Sequence, residues 1–119
     1  MDNSGRSFTD LSWLEIAHVF AGLVGARVVV EYAGGYSCSV DYHYITPAGL
    51  RCCTGFAKTK GTADESAEWL MRRIFMYAPE LNFPGLKLPE LRFESKEDLA
   101  LKLAAAGIDP EFSWTHRSG

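Results

Sequence analysis

Several absences narrow what this chain can do before any motif is considered. There is no CxxC pair and no HxxxH spacing, so the frameworks that hold structural zinc are missing. No glycine-rich turn joins a strand to a helix, because Gly34-Gly35 falls between two strand-like runs. That excludes the phosphate cradle of a nucleotide-binding loop. Charge of one sign is not in excess: 12 basic residues stand against 15 acidic ones, for a net charge of −3. Such a balance excludes a binder that works by neutralising phosphates, and equally a polyanionic mimic of DNA. The mostly apolar run from Leu11 to Val30 is interrupted by Glu15, His18 and Arg27 and so makes no membrane span. No basic segment leads into an apolar one near Met1, so no secretory signal is visible and a cytoplasmic location is expected. Cysteine is scarce and odd in number, three in all with Cys52 and Cys53 adjacent, which does not suit a disulfide framework. Reduced thiols and no cofactor are expected.

What remains is ordinary globular material, 47% hydrophobic and 23% charged over 119 residues, enough for one domain over 1–119 with one core. Asp10 is a good N-cap for a helix from Leu11 to Val24 that Gly25 stops. Apolar residues cover most of that helix, which predicts burial on more than one side. ARVVVEYA, YSCSVDYHYIT and LRCCTGFAKT then alternate as strands separated by GG and PAG, an antiparallel meander. Three-residue loops at Gly34-Gly35-Tyr36 and Pro47-Ala48-Gly49 place Val30 across from Val40, Val28 across from Tyr42, Tyr44 across from Cys52 and Val40 across from Phe56. The predicted covered face holds Val28, Val30, Tyr32, Cys38, Val40, Tyr42, Tyr44, Leu50, Cys52 and Phe56. The other face, with Glu31, Asp41, His43, Arg51 and Cys53, is expected to be wet.

A second helix follows Thr62, with acidic residues suited to its N-terminus and a core stripe of Ala67, Leu70, Met71, Ile74, Tyr77 and Ala78; Pro79 is expected to end it. Residues 79–94 contain three prolines between Pro79 and Pro89 and predict an extended strap lying on the domain. Ser95-Lys-Glu-Asp98 opens a third helix over 95–107. The fold class is therefore α+β: a three-stranded antiparallel sheet, two helices on one face in the order αβββα, and a C-terminal helix.

Two constellations carry potential chemistry. Cys53 and His43 fall opposite each other on the wet face with Asp41 on the same side, which has the composition of a thiol nucleophile, its base and an orienting carboxylate. A flat face offers neither a cleft nor an oxyanion donor, so the competing reading is a polar surface with an incidental thiol. His18 and His116 have no metal-ligand company. The other constellation is a stripe on the second helix, where Trp69, Arg72, Arg73 and Met76 share the side away from the core. These residue types are enriched at protein interfaces. Either the strap or the C-terminal Phe112 and Trp114 cover the stripe, or a partner protein does. Glu31, Asp41, His43 and Arg51 form a second candidate surface.

The order helix, three strands, helix over Leu11 to Ala78 is similar to the double-stranded RNA-binding domain. That family docks RNA with a lysine-rich start to its second helix, and here those positions are Asp64, Glu65 and Glu68, with only Lys58 and Lys60 upstream. No strong nucleic-acid binding is expected. By size and element order the chain also resembles phage-encoded inhibitors of bacterial defence, including anti-CRISPR proteins. That resemblance implies a non-enzymatic protein-binding inhibitor in a bacterial host cytoplasm, monomeric or homodimeric, aimed at a nuclease effector complex. An immunity or antitoxin-like partner protein, an RNA-binding-like domain and a cysteine-dependent enzyme using Cys53 and His43 are the alternatives.

Overall fold

The computed structural model describes residues 8–33, 37–81, 83 and 88–108. A 3-10 turn at Phe8–Asp10 leads into helix α1, Trp13–Val24. Strands β1 (Arg27–Ala33), β2 (Ser37–Ile45) and β3 (Arg51–Thr59) come next. Helix α2, Ala63–Met76, the short helix α3, Ala78–Leu81, and helix α4, Lys96–Ala105, complete the order. The sheet is a three-stranded antiparallel meander, β1-β2-β3, so the α+β reading holds, C-terminal helix included.

The strand register is the one the face pattern predicts. Val30 pairs with Val40, Val28 with Tyr42, Tyr44 with Cys52 and Val40 with Phe56. The second turn is built on Thr46, whose backbone carbonyl accepts from Gly49 N at 2.8 Å while Leu50 N reaches the threonine hydroxyl at 3.2 Å. Gly49 takes the left-handed conformation, φ +87°, that a side chain would strain. The first loop, Gly34 to Tyr36, lies outside the described residues.

Helices α1 and α2 cover one face of this sheet, and their hold on it is specific. Ser66, fully buried on α2, donates to the Cys38 carbonyl at 2.6 Å. The Tyr42 hydroxyl, buried beneath both helices, donates to the Ala17 carbonyl of α1 and lies 3.5 Å from Met71 Sδ of α2. The cover is narrower than the alternation predicts. Tyr32 and Leu50, assigned to the covered face, are 70% and 65% exposed: Tyr32 stands on the outer strand β1, across from buried Cys38, and Leu50 precedes β3 in the turn.

Helix termini differ from expectation for local reasons. The α1 N-cap is Ser12, not Asp10: Ser12 and Glu15 form a reciprocal capping box, and Asp10 is taken into the preceding 3-10 turn. Thr62 and Glu65 make the same box at α2. Ser95 caps α4, but the shorter Asp98 carboxylate accepts from Glu94 N at 3.0 Å, one residue further back than a box requires. Pro79 does not end α2, which stops at Met76 with Tyr77 as its cap. Proline instead enters the first turn of α3, where no intrahelical N–H donor is needed. Tyr77, placed in the core stripe from the sequence, is half exposed, and Phe75 is buried in its stead. The start of the predicted strap is therefore helical, residues 88–93 have no regular secondary structure, and Phe83, Leu88 and Phe93 are buried in the core.

Candidate functional site

On the open face of the sheet the register does bring His43 and Cys53 together, with Cys53 Sγ 3.6 Å from His43 Nε2. The third member is turned elsewhere. Asp41 Oδ2 accepts from Ser39 Oγ at 3.2 Å, and its carboxylate lies across β3 so closely that a Cβ on Gly55 would fall 1.7 Å from Oδ1. Desolvation, then the negative charges of Asp41 and Glu31, raise the Cys53 thiol above its ordinary range. Desolvation and the very carboxylate that would orient the base thus both favour the protonated, unreactive sulfur. All three cysteines are free, Cys38 buried, Cys52 half-buried and Cys53 exposed. Glu31, His43 and Arg51 are exposed on this face. Among the described residues no cluster of three metal-ligating side chains occurs.

The outer side of α2 is organised differently. Trp69 is 44% exposed and stacks on Phe56 of β3, ring centroids 6.0 Å apart and 28° from parallel. Arg72 does not face solvent as an independent cation. Its guanidinium is 3.0 Å from Glu68, donates to the Phe93 carbonyl at 2.6 Å, and lies 4.7 Å from the Phe93 ring centroid. The strap is held to α2 a second time by Leu91 N, which donates to the Phe75 carbonyl at 2.9 Å. Phe93 continues inward, stacked on Trp13 at 5.6 Å and edge-on to Phe75 at 6.2 Å. Cover and exposure, alternatives in the sequence, therefore divide the stripe between them. The strap claims Arg72 and leaves Trp69, Arg73 and Met76 along the side of a groove of about 600 Å³.

The apolar lining of that groove comes from Phe56, Trp69, Met76, Leu91 and Phe93, and three arginines, Arg72, Arg73 and Arg92, border it. Arg72 is committed to Glu68 and the strap. Arg92 meets Glu90 only at 3.9 Å, with both side chains more than half exposed. Arg73 is exposed in the last turn of α2 and has no ion pair among the described residues. The site is thus apolar within and carries unneutralised positive charge at its edge.

Sequence reading found the α2 side of this groove and missed the strap side, Leu91 to Phe93. The signal available was the spacing of Leu91 and Phe93 in an otherwise proline-broken segment. Phe112, Trp114 and His116 lie outside the described residues. His18 is exposed on α1.

The acidic start of α2 has a structural use: Asp64 Oδ1 accepts from Leu14 N at 2.9 Å, closing an open donor in the first turn of α1. The element order of the RNA-binding domain is present, but this helix start is acidic and tied to α1. Among the described residues no helix is long and apolar enough to cross a membrane. Comparison with known proteins finds no matching family model, no matching curated protein and no matching solved structure.

Proposed function

We propose that this chain is a non-enzymatic protein-binding module. Its docking site is the groove between α2 and the strap, and its ligand is a protein segment with an aromatic or large aliphatic anchor beside acidic residues. One observation carries the reading. The strap is hydrogen-bonded to α2 through Arg72 and Leu91, yet it leaves a half-exposed tryptophan and a methionine beside an apolar groove bordered by arginines. An apolar anchor beside Trp69 and Met76 would displace water from surface that the described residues leave open, and acidic neighbours would meet Arg73 and Arg92. Trp69, Arg73 and Met76 are the contact residues, and Arg72 positions the wall. The sheet face around Glu31, Asp41, His43 and Arg51 has no comparable apolar lining and is the secondary surface.

Size and element order suggest the class of partner: a phage-type inhibitor's target, a defence nuclease complex of the CRISPR-Cas kind, in a bacterial cytoplasm. An immunity or antitoxin-like role would use the same groove on a different protein. A displayed peptide library panned against the wild-type chain tests the site without knowing the partner. Enriched sequences should join an aromatic or aliphatic anchor to Asp or Glu, and should be lost on Trp69→Ala and on Arg73→Glu. Failure to enrich any sequence, or enrichment that survives both substitutions, contradicts the proposal.

A further inference from the structure

The meander has two outer strands, and they are guarded unequally. On β3, Lys58 pairs with buried Cys38 and so stands on the helix-covered side, with its stem packed against Gly61, where a Cβ would fall 2.7 Å away. An inward-pointing charge is one of the devices that keep an edge strand from pairing with another chain. Among the described residues β1 has no such device. Its seven residues, RVVVEYA, contain no proline or lysine, pair with β2 without a bulge, and include three consecutive valines of high β-propensity.

The two charges of β1 have a particular relation. Arg27 and Glu31 lie on the open face, both exposed, and neither forms an ion pair among the described residues. When two identical strands pair antiparallel, facing residues must share a side of the sheet, so the two-fold axis passes through a residue position. An axis at Val29 sets Arg27 of each copy against Glu31 of the other and Val28 against Val30. An axis at Val30 pairs all seven strand residues but puts Glu31 against Val29 and Arg27 against Ala33, leaving both charges without a counterpart. Only the Val29 register uses both.

We propose that β1 is a self-association edge: two copies pair β1 to β1 about Val29, joining two three-stranded sheets into one of six strands with two symmetric Arg27–Glu31 ion pairs. The groove is unaffected, because its strand residue, Phe56, lies on β3 at the opposite edge. A dimer would therefore present two grooves.

Sedimentation equilibrium on the full chain across micromolar to submillimolar concentration tests this. The wild type should reach twice the 13.2 kDa chain mass. Arg27→Glu and Glu31→Arg should each weaken the dimer by roughly tenfold, since each turns two attractive cross-strand pairs into repulsive ones, and the double swap should restore it. In a Cys53→Ser background, Val29→Cys should form an intermolecular disulfide on mild oxidation and Val30→Cys should not, because only the residue on the axis faces its own copy. A wild type that stays monomeric, a dimer indifferent to both reversals, or cross-linking at Val30 in place of Val29 would overturn the proposal. Trp69→Ala should leave the dimer intact, which separates this result from any result on the groove.

Discussion

The open sheet face and the outer side of α2 both carry side chains suited to chemistry or contact, yet they satisfy those side chains to different degrees. On the sheet, Asp41 is bonded to Ser39 and lodged over Gly55, and Cys53 meets His43 while desolvation, then the Asp41 and Glu31 charges, raise its thiol above the ordinary range. On α2, Arg72 is similarly engaged, with Glu68 and the Phe93 carbonyl, but Trp69, Arg73 and Met76 border a groove they do not fill. A cluster of reactive residue types is thus no evidence of chemistry when its members neutralise one another, and an aromatic with unfilled space beside it points to contact. The contrast is one of remaining capacity.

The contrast is broken most severely by removing the groove's inner wall. Phe93→Ala should cost about 3–5 kcal/mol of stability in chemical denaturation, because the ring is buried between Trp13, Phe75 and Arg72. A loss well below that range would mean that the strap is not integral to the core. On the sheet side, Gly55→Ala should cost about 1–3 kcal/mol, since its Cβ would meet the Asp41 carboxylate and lie 2.9 Å from the Val40 carbonyl. Adding Asp41→Ala should recover part of that loss, and a double mutant no better than the single would show that backbone crowding alone is responsible. A smaller effect concerns Cys53. Its alkylation rate should rise with pH along a curve whose midpoint lies above the ordinary 9.0, from desolvation first and the Asp41 and Glu31 charges next. Asp41→Asn should move the midpoint down. A midpoint below 9.0 in the wild type would reopen the thiol as a nucleophile.

Much of this molecule is legible from local patterns. Strand register follows from period-two alternation, since a slip of one residue would turn Val40 and Tyr42 to the open face, and Gly25 closes α1 where expected. Ser12-x-x-Glu15 and Thr62-x-x-Glu65 were there to be read as capping boxes. Tyr32 and Leu50 are exposed against expectation because alternation gives a residue's side of the sheet but not whether it stands on an outer strand or in a turn. The groove was legible only by half. Trp69 and Met76 share a helical face by spacing, but the strap's position depends on Arg72 finding a backbone carbonyl at Phe93 and on Leu91 N finding the Phe75 carbonyl. Backbone acceptors are the same for every residue type, so no sequence pattern marks them. Asp64 capping Leu14 across the chain is illegible for the same reason.

The most direct measurement is the affinity of one library-selected peptide for three proteins: wild type, Trp69→Ala and Asp41→Asn, each checked for its melting temperature. Trp69→Ala should weaken binding by about 2 kcal/mol, roughly thirtyfold, with a stability loss of about 1–2 kcal/mol because its stacking on Phe56 and its contact with the Arg72 guanidinium are lost. Asp41→Asn should bind as the wild type does. Equal affinity of Trp69→Ala and wild type, or a loss confined to Asp41→Asn, would contradict the assignment of docking to the groove.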